Sequence, residues 1–372
     1  MTKQGRLNPW IMTGTIVLLL AALKVASAVV TPVAFALFLI ALLWPLQRRL
    51  QVLLPRLVAL MATILLLVTA FIAFASLIAW GFGHVGRWGL ANMGRFQALY
   101  DRTTAWLDDQ GIAVASLWAD HFNVGWLLGL IQQFTSHVNT TLSFWVVVLL
   151  YVILGLLEVE GTARKIKALP DGATVRLLWE GSEETAAKIR RYMAVRTLMS
   201  LLTGMLVWIF AILFGLPLAR EWGIIAFALN YIPFIGPLVA TVFPTLLAVL
   251  EFDTWQSAVT VFLCLNAIQF VVGSYIEPRL SGSALAMSPF VVLFSIFLWT
   301  FLWGLPGTFI GVPITVAALT FCARHPDTRW LAILLGPPDE REQAVDMGAG
   351  TGEGFPRHDR SGRVSGSGGR RT

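Results

Sequence analysis

The feature that most constrains this chain is a pair of long apolar segments in its C-terminal half, each interrupted in the middle by glycine and proline. The first runs from Trp222 to Leu250 and breaks at Asn230-Tyr231-Ile232-Pro233-Phe234-Ile235-Gly236-Pro237; the second runs from Ser288 to Phe321 and breaks at Gly304-Leu305-Pro306-Gly307. Each follows an unbroken apolar stretch, Thr197 to Leu216 and Ala258 to Val272, so the second half of the chain repeats one pattern twice. A broken helix inside a membrane exposes backbone donors and acceptors, which survive only where protein or a watery cavity satisfies them. Two such breaks in corresponding positions point to the substrate site of a secondary transporter.

The membrane setting follows from composition. The chain is 57% hydrophobic and 13% charged, and it holds several apolar runs of about 20 residues, enough to cross a hydrocarbon core about 30 Å thick. The expected spans are Pro9 to Val30, Pro32 to Trp44 with Pro32 dividing the two, Leu57 to Trp80, Leu142 to Leu157, and the four C-terminal segments. Trp10, Trp44, Trp80, Trp145, Trp208, Trp222, Trp255 and Trp303 sit at or near the expected ends, where an interfacial aromatic belt would lie.

Charge sets the expected orientation. Lys3 and Arg6, then Arg48, Arg49 and Arg56, then the dense run from Arg164 to Arg191 belong in the cytoplasm by the positive-inside rule; Gly83 to Thr141 has only Arg87, Arg95 and Arg102 against four aspartates and belongs outside. The reading divides the chain into a cytoplasmic N-terminus (1–8), a scaffold of three spans (9–82), an extracytoplasmic amphipathic segment (83–141), a fourth span (142–158), a cytoplasmic helical segment opened by a Pro170-Asp171-Gly172 turn (159–194), a transport core (195–324) and a disordered Gly/Ser/Arg-rich cytoplasmic tail (325–372). The net charge of +6 therefore needs no nucleic-acid partner. Cys264 and Cys322 lie in or beside spans and read as packing residues.

Two topologies compete for the C-terminal half. Single crossings would put Glu251 and Asp253 inside and Arg279 outside; re-entrant hairpins would do the reverse, which agrees better with the positive-inside rule. A continuous helix over the first segment would be about 43 Å long, well beyond one hydrocarbon core, while each half is too short to cross alone. Hairpins opening from opposite faces would make an inverted repeat. The expected fold is thus an all-α integral membrane protein of about eight transmembrane segments with two Gly/Pro-broken re-entrant hairpins.

At the breaks, Pro233, Pro237 and Pro306 remove amide donors, while Gly236, Gly304 and Gly307 let backbone approach a ligand or another helix. The polar candidates nearby are Asn230, Asn266 and Gln269, which serve equally well as a solute pathway or as ordinary interhelical partners. Glu277 reads either as a proton-coupling carboxylate or as an interfacial ion-pair partner of Arg279 across Pro278. Lys24, seven residues from its span's end, can snorkel to the interface.

Tyr192-Met193-Ala194-Val195-Arg196, the Asn230 to Pro237 element, Ile276-Glu277-Pro278-Arg279-Leu280-Ser281-Gly282 and Trp303-Gly304-Leu305-Pro306-Gly307 through Gly311-Val312-Pro313 together resemble the autoinducer-2 exporter (AI-2E) family of permeases. The likeness is strongest from Tyr192 to Phe321 and extends over about Pro9 to Arg324. It implies a bacterial inner-membrane protein of about eight segments, a homo-oligomer for which a pentamer is one arrangement, that acts as an exporter or permease of a small molecule or ion across the lipid bilayer; the charge pattern and the alternation of spans put both termini in the cytoplasm. Members are associated with autoinducer-2 and others with cation/proton antiport, so the cargo stays open. The Gly/Arg-rich tail departs from the family pattern.

Other classes lack their signatures. No phosphate-loop sequence is present, so the expected energy source is an ion or proton gradient; no His-Glu-x-x-His or Gly-x-Ser-x-Gly sequence is present, and His84, His121, His137, His325 and His358 all fall outside the expected spans, which argues against an enzyme and against a cofactor or metal. A scaffold or sensor without flux is the remaining alternative.

Overall fold

The computed structural model describes residues 9–109, 138–168, 172–252, 254–281 and 287–336. Among them the secondary structure is helical throughout: α1 Pro9–Val25, α2 Ser27–Leu53, α3 Arg56–Ala91, α4 Met93–Asp109, α5 Val138–Lys167, α6 Ala173–Phe214, α7 Ala219–Leu229, α8 Ile235–Glu251, α9 Trp255–Phe270, a π-helical run Val271–Ile276, α10 Glu277–Ser281, α11 Pro289–Arg324 and α12 Arg329–Leu335. Six of these are long and apolar enough to cross a membrane: α2, α3, Ser143–Ile166 of α5, Leu177–Phe214 of α6, Trp255–Ile276 and α11. Large apolar side chains such as Leu18, Leu53, Leu213 and Phe290 are exposed over the surface, as a lipid-facing exterior requires.

Proline does not divide the first two helices where expected. The break falls at Ala26, and Pro32 and Pro45 both lie inside the 27-residue α2. In lipid a missing amide bond does not open the helix to water, and neighbouring helices hold it together. The third helix also continues past Trp80 to Ala91, and α4 follows it after a single residue. The rest of the expected outside segment (110–137), the Pro170-Asp171 turn, Asp253, Gly282, the N-terminal Lys3 and Arg6, and the tail beyond residue 336 lie outside the described residues.

The long α6 organises the fold. Its 42 residues extend about 63 Å at about 1.5 Å per residue, so it serves as a wall for both halves of the core. It ends in a Schellman turn, with Gly215 left-handed (φ 75°) and the Leu216 amide donating to the Ala211 carbonyl at 2.8 Å, which reverses the chain into α7 within four residues. Against its C-terminal part, Val207 and Ala211 pack with Trp222, Ile225, Ala248 and Val261 from α7, α8 and α9. Lower on the same helix, Ile189 joins Phe35, Val152, Leu302, Trp303 and Ile310, tying α2, α5 and α11 together. Trp222 and Trp303 are therefore core residues, 3% and 8% exposed, and not members of an aromatic belt. A helix tip is an interior position as soon as another helix caps it.

Between apolar helices in lipid, association rests on close van der Waals packing and so favours small residues. The α6–α7 contact is of this kind: a Cβ on Gly204 would lie 2.7 Å from the Gly223 carbonyl oxygen, and one on Gly223 would lie 2.7 Å from the Trp208 Cβ. Gly204→Val should destabilise the purified protein by roughly 1–3 kcal/mol, the usual cost of overpacking, read as a lower thermal transition in detergent. Gly94→Val, with nothing within 4 Å of the added carbon, should leave that transition in place.

Candidate substrate site at the two helix breaks

Each break turns the chain back on itself. In the second, Gly304 has φ 64° and ψ −143°, outside any helical region, in the middle of α11. The Ser295 hydroxyl donates to the Gly311 carbonyl at 2.9 Å and lies 2.6 Å from the Thr315 hydroxyl; Trp299 donates its indole N–H to Thr315, and the Thr300 and Thr308 hydroxyls are 2.7 Å apart. Residues 8 to 20 apart in sequence thus touch in pairs centred on Gly304. A straight helix would hold Ser295 and Thr315 about 30 Å apart.

In the first, α7 ends at Leu229 and α8 begins at Ile235. The chain returns to its starting level, because the Phe214 ring at the end of α6 meets Phe252 at the end of α8 with centroids 5.3 Å apart. The turn runs through Phe234, a half-exposed residue held at φ 64° without a glycine's freedom. Such strain persists only where its surroundings impose it, and it clusters at working parts of proteins.

Glycine closes both turns. A Cβ on Gly236 would collide with the Leu229 carbonyl, and one on Gly307 with the Trp299 carbonyl. The close approach expected at these positions is therefore made to the chain's own preceding helix, not to a ligand. Bulky residues there would disturb the turn itself, so such variants cannot separate transport from folding.

The two apices meet. The Tyr231 ring stacks on Phe309 with centroids 6.1 Å apart and 24° between planes, and Phe309 in turn touches Phe35 and Phe38 of α2. The first apex is fastened to α6: Asn230 donates through Nδ2 to the Ser200 hydroxyl at 3.3 Å, and the Tyr231 hydroxyl donates to Thr197 at 3.1 Å. Pro233 is half-buried in the turn, and the Pro237 carbonyl accepts from the Thr241 hydroxyl at 2.9 Å.

The bases face opposite ways along α6. The first pair's base, at the C-terminal end of α6, carries Glu251, bonded to Arg95 of α4 at 2.6 Å. The second pair's base carries Arg324, which bridges Glu180 and Glu184 at the start of α6, with Lys188 completing the lattice through Glu184 and the Thr320 hydroxyl.

A cleft of about 250 Å³ opens beside the second apex, lined by Ser27, Thr31 and Pro32 of α2, Phe144 of α5, and Leu302, Trp303 and Pro306. Thr31 is 4% exposed, and its hydroxyl has no hydrogen-bond partner within the protein. Pro306 has no N–H to give to the Leu302 carbonyl four residues back. The Thr31 hydroxyl, closed off but without a partner beside this small cleft, suits a polar solute once the cleft opens enough to expose it. Trp303 is committed elsewhere, donating its indole N–H to the Leu23 carbonyl at 3.2 Å, and Lys24 lies over the exposed Phe301 ring at 3.5 Å.

Of the sequence-derived candidates, Asn230, Pro233, Gly236 and Pro237 gather at the first apex and Gly304, Pro306 and Gly307 at the second. Asn266 does not join them: it is exposed on α9 and donates to its own helix at the Phe262 carbonyl. Gln269 sits half-buried on the same helix. A single polar residue in an apolar run shows its depth but not its face. Glu277 pairs with Arg196 of α6 at 2.7 Å, and Arg279 instead stacks over the Tyr275 ring at 3.9 Å. Sequence reasoning missed Thr31, Ser200 and Arg196 as site residues. The stripe Arg196, Ser200, Thr203 at helical spacing was the available signal for the last two.

Apolar helices wrapped around two interrupted, oppositely opening helix pairs define a multi-pass membrane transport protein. The chain belongs to the AI-2E transporter family, whose sequence pattern matches residues 14–326. It is 26% identical over 330 residues to the AI-2 transport protein TqsA of Escherichia coli (strain K12), covering 87% of this chain and 94% of that one. It is 31% identical over 211 residues to YhhT of the same organism (56% and 60%), and 29% identical over 127 residues to YrrI of Bacillus subtilis (34% and 34%).

The geometry separates cleft from turn experimentally. Thr31→Val, nearly the same volume, removes a buried hydroxyl that gains nothing from the protein, so thermal stability should hold or rise by up to about 1 kcal/mol, while flux of a solute bound there falls. Gly236→Ala and Gly307→Ala should each cost on the order of 3 kcal/mol, since backbone must move, and lower the thermal transition before any loss of flux can be assigned to chemistry.

Proposed function

We propose that the protein is a secondary transporter that moves a small polar molecule across the bacterial inner membrane, driven by an ion or proton gradient. The observation that carries this reading is the meeting of the two apices at Tyr231 and Phe309 while their bases open toward opposite ends of α6. In a bilayer this is two re-entrant hairpins in inverted relation, and the Arg95–Glu251 contact supports it by pairing the first base with α4, the segment assigned to the outside on charge. With the hairpins counted as two segments each not fully crossing, the chain has about eight membrane segments and both termini are cytoplasmic. The helices α1–α3 and α5 form the scaffold, and the exposed lipid-facing helices provide the surface for a homo-oligomer.

The cleft sets the size of the cargo. At about 250 Å³ it lies just below the usual range for small-molecule sites, about 300–1,000 Å³, and the unpartnered Thr31 hydroxyl beside it favours a hydroxylated or amine-bearing solute over an apolar one. An autoinducer-2-like molecule fits that description, and the name of the TqsA relative supports it.

The test is a metabolite profile of the medium, including autoinducer-2, from cells overproducing the wild type beside cells with equal membrane amounts of Thr31→Val. A small polar compound enriched several-fold outside only with the wild type is the expected result. Identical profiles, together with liposomes that pass neither the pooled metabolites nor alkali cations against a pH gradient, would leave a scaffold or sensor instead. Cation flux alone would replace the exporter by an antiporter.

A further inference from the structure

The buried ion pair between Arg196 and Glu277 is only half made. One guanidinium nitrogen, Nη1, reaches Glu277 Oε1 at 2.7 Å, while Arg196 Nε is buried with no hydrogen-bond partner; the Arg196 side chain is 6% exposed and that of Glu277 18%. The planar fork, which places two parallel N–H groups on a carboxylate, is the stronger arrangement for holding two helices, and the pair here makes one bond instead. Leaving a guanidinium donor unpaired in a buried site is costly, and it calls for a second state in which the group is differently served.

The backbone beneath Glu277 is suited to two states. Val271–Ile276 is π-helical, and the Glu277 amide donates to the Val272 carbonyl, five residues back. Exchanging that bond for the α-helical one, to Gly273, would turn Glu277 by about 100° around the helix axis. A Cβ at Gly273 would meet nothing within 4 Å, so the segment has room to tighten.

We propose that Glu277 binds a proton, that Arg196 is its counter-charge, and that the proton controls how the first broken helix pair is anchored. With Glu277 ionised, the pair holds α10 to α6. When the carboxylate takes up a proton its charge is lost, no bond to Arg196 of comparable strength remains, and the buried guanidinium must move toward water or toward a negative group. The residues beside Arg196 on α6 are the anchors of the first apex: Thr197 accepts from Tyr231 and Ser200 accepts from Asn230. A shift of Arg196 therefore reaches the apex through one turn of a single helix. The charged and titratable groups around Glu277 are Arg196 and Tyr192 from α6, and Tyr275 and Arg279 on its own side, the last two stacked on each other. Arg196 is thus the only cation among the described residues placed to answer the carboxylate.

That the proton drives transport rests on the function proposed above; that it binds at Glu277 does not. The full-length protein in lipid nanodiscs is titrated from about pH 8 to about pH 4, bracketing the ordinary carboxylate range, and amide hydrogen exchange is followed in the segments 271–281 and 229–236 after correction for the chemical exchange rate. In the wild type both segments should pass together from slow to fast exchange by about tenfold or more. Glu277→Gln should exchange fast at every pH, and Glu277→Asp should restore the transition at a displaced midpoint. A flat wild-type profile, or a transition that persists in Glu277→Gln, overturns the proposal. So does a change confined to 271–281, because the link to the apex would then be absent. Export of a compound alongside a flat profile removes the proton site and leaves the transporter; the transition without export or cation flux upholds the proton site and removes the transporter.

Discussion

A backbone amide or carbonyl that loses its helical partner among apolar side chains has to find another one nearby, and this structure depends on how two broken helices do so. Water is not at hand inside lipid, and each unsatisfied group would cost several kcal/mol. At the first turn the Ile232 amide donates to Leu229 and the Gly236 amide donates to Ile232. At the second, the Thr308 hydroxyl covers the Gly304 carbonyl and the Ser295 hydroxyl reaches across to Gly311. The glycines are what allow this. Without side chains at 236 and 307 the returning arm lies directly on the carbonyls of the arm before it, and the reversal fits within a helix diameter.

The two pairs solve the problem differently, and the difference bears on which one moves. The second pair is sealed from within by a ladder of hydroxyls and fixed at its base by the Arg324 lattice with Glu180 and Glu184. It would travel as one body with the start of α6. The first pair leans on α6 through two neutral hydrogen bonds at its apex, each worth about 0.5–1.5 kcal/mol net. Bonds of that size can be exchanged at modest cost, and the strained Phe234 lies directly beyond them. The contacts that hold the first apex are therefore the weaker of the two sets.

Much of this layout is legible in the sequence because glycine and proline act locally. The breaks at 230–237 and 304–307 fall at the Gly/Pro clusters, and the helix expected after the Pro170-Asp171-Gly172 turn is the start of α6, which runs on into the next span. Three other residues were given the wrong neighbours for a single reason: Pro32 as a divider of two helices, Trp303 in an interfacial belt, and Glu277 as the partner of Arg279. Pro32, Trp303 and Glu277 were interpreted from their neighbours in sequence, whereas their roles are set by partners that lie 81 residues or more away or by packing that replaces water. Pro32 is held inside α2, Trp303 donates to Leu23 across 280 residues, and Glu277 finds Arg196 instead of Arg279. Spacing on one helix can show that Arg196, Ser200 and Thr203 share a face. It cannot show what the face meets.

The distribution of unsatisfied polarity argues for where a solute would travel. Among the described residues, the buried side-chain atoms without a partner belong to Thr31 and Gln47 of α2 and to Thr185, Arg196 and Thr203 of α6. None belongs to the broken pairs, whose hydroxyls and amides are engaged. The deficit thus falls on two helices that pack against each other, α6 against both breaks and α2 against the second. A purely structural wall in lipid gains by replacing such groups with apolar ones of equal size, since burying them unpaired costs about 1–3 kcal/mol each. These atoms are closed off in this structure, so a solute would meet them only where the helices around them part.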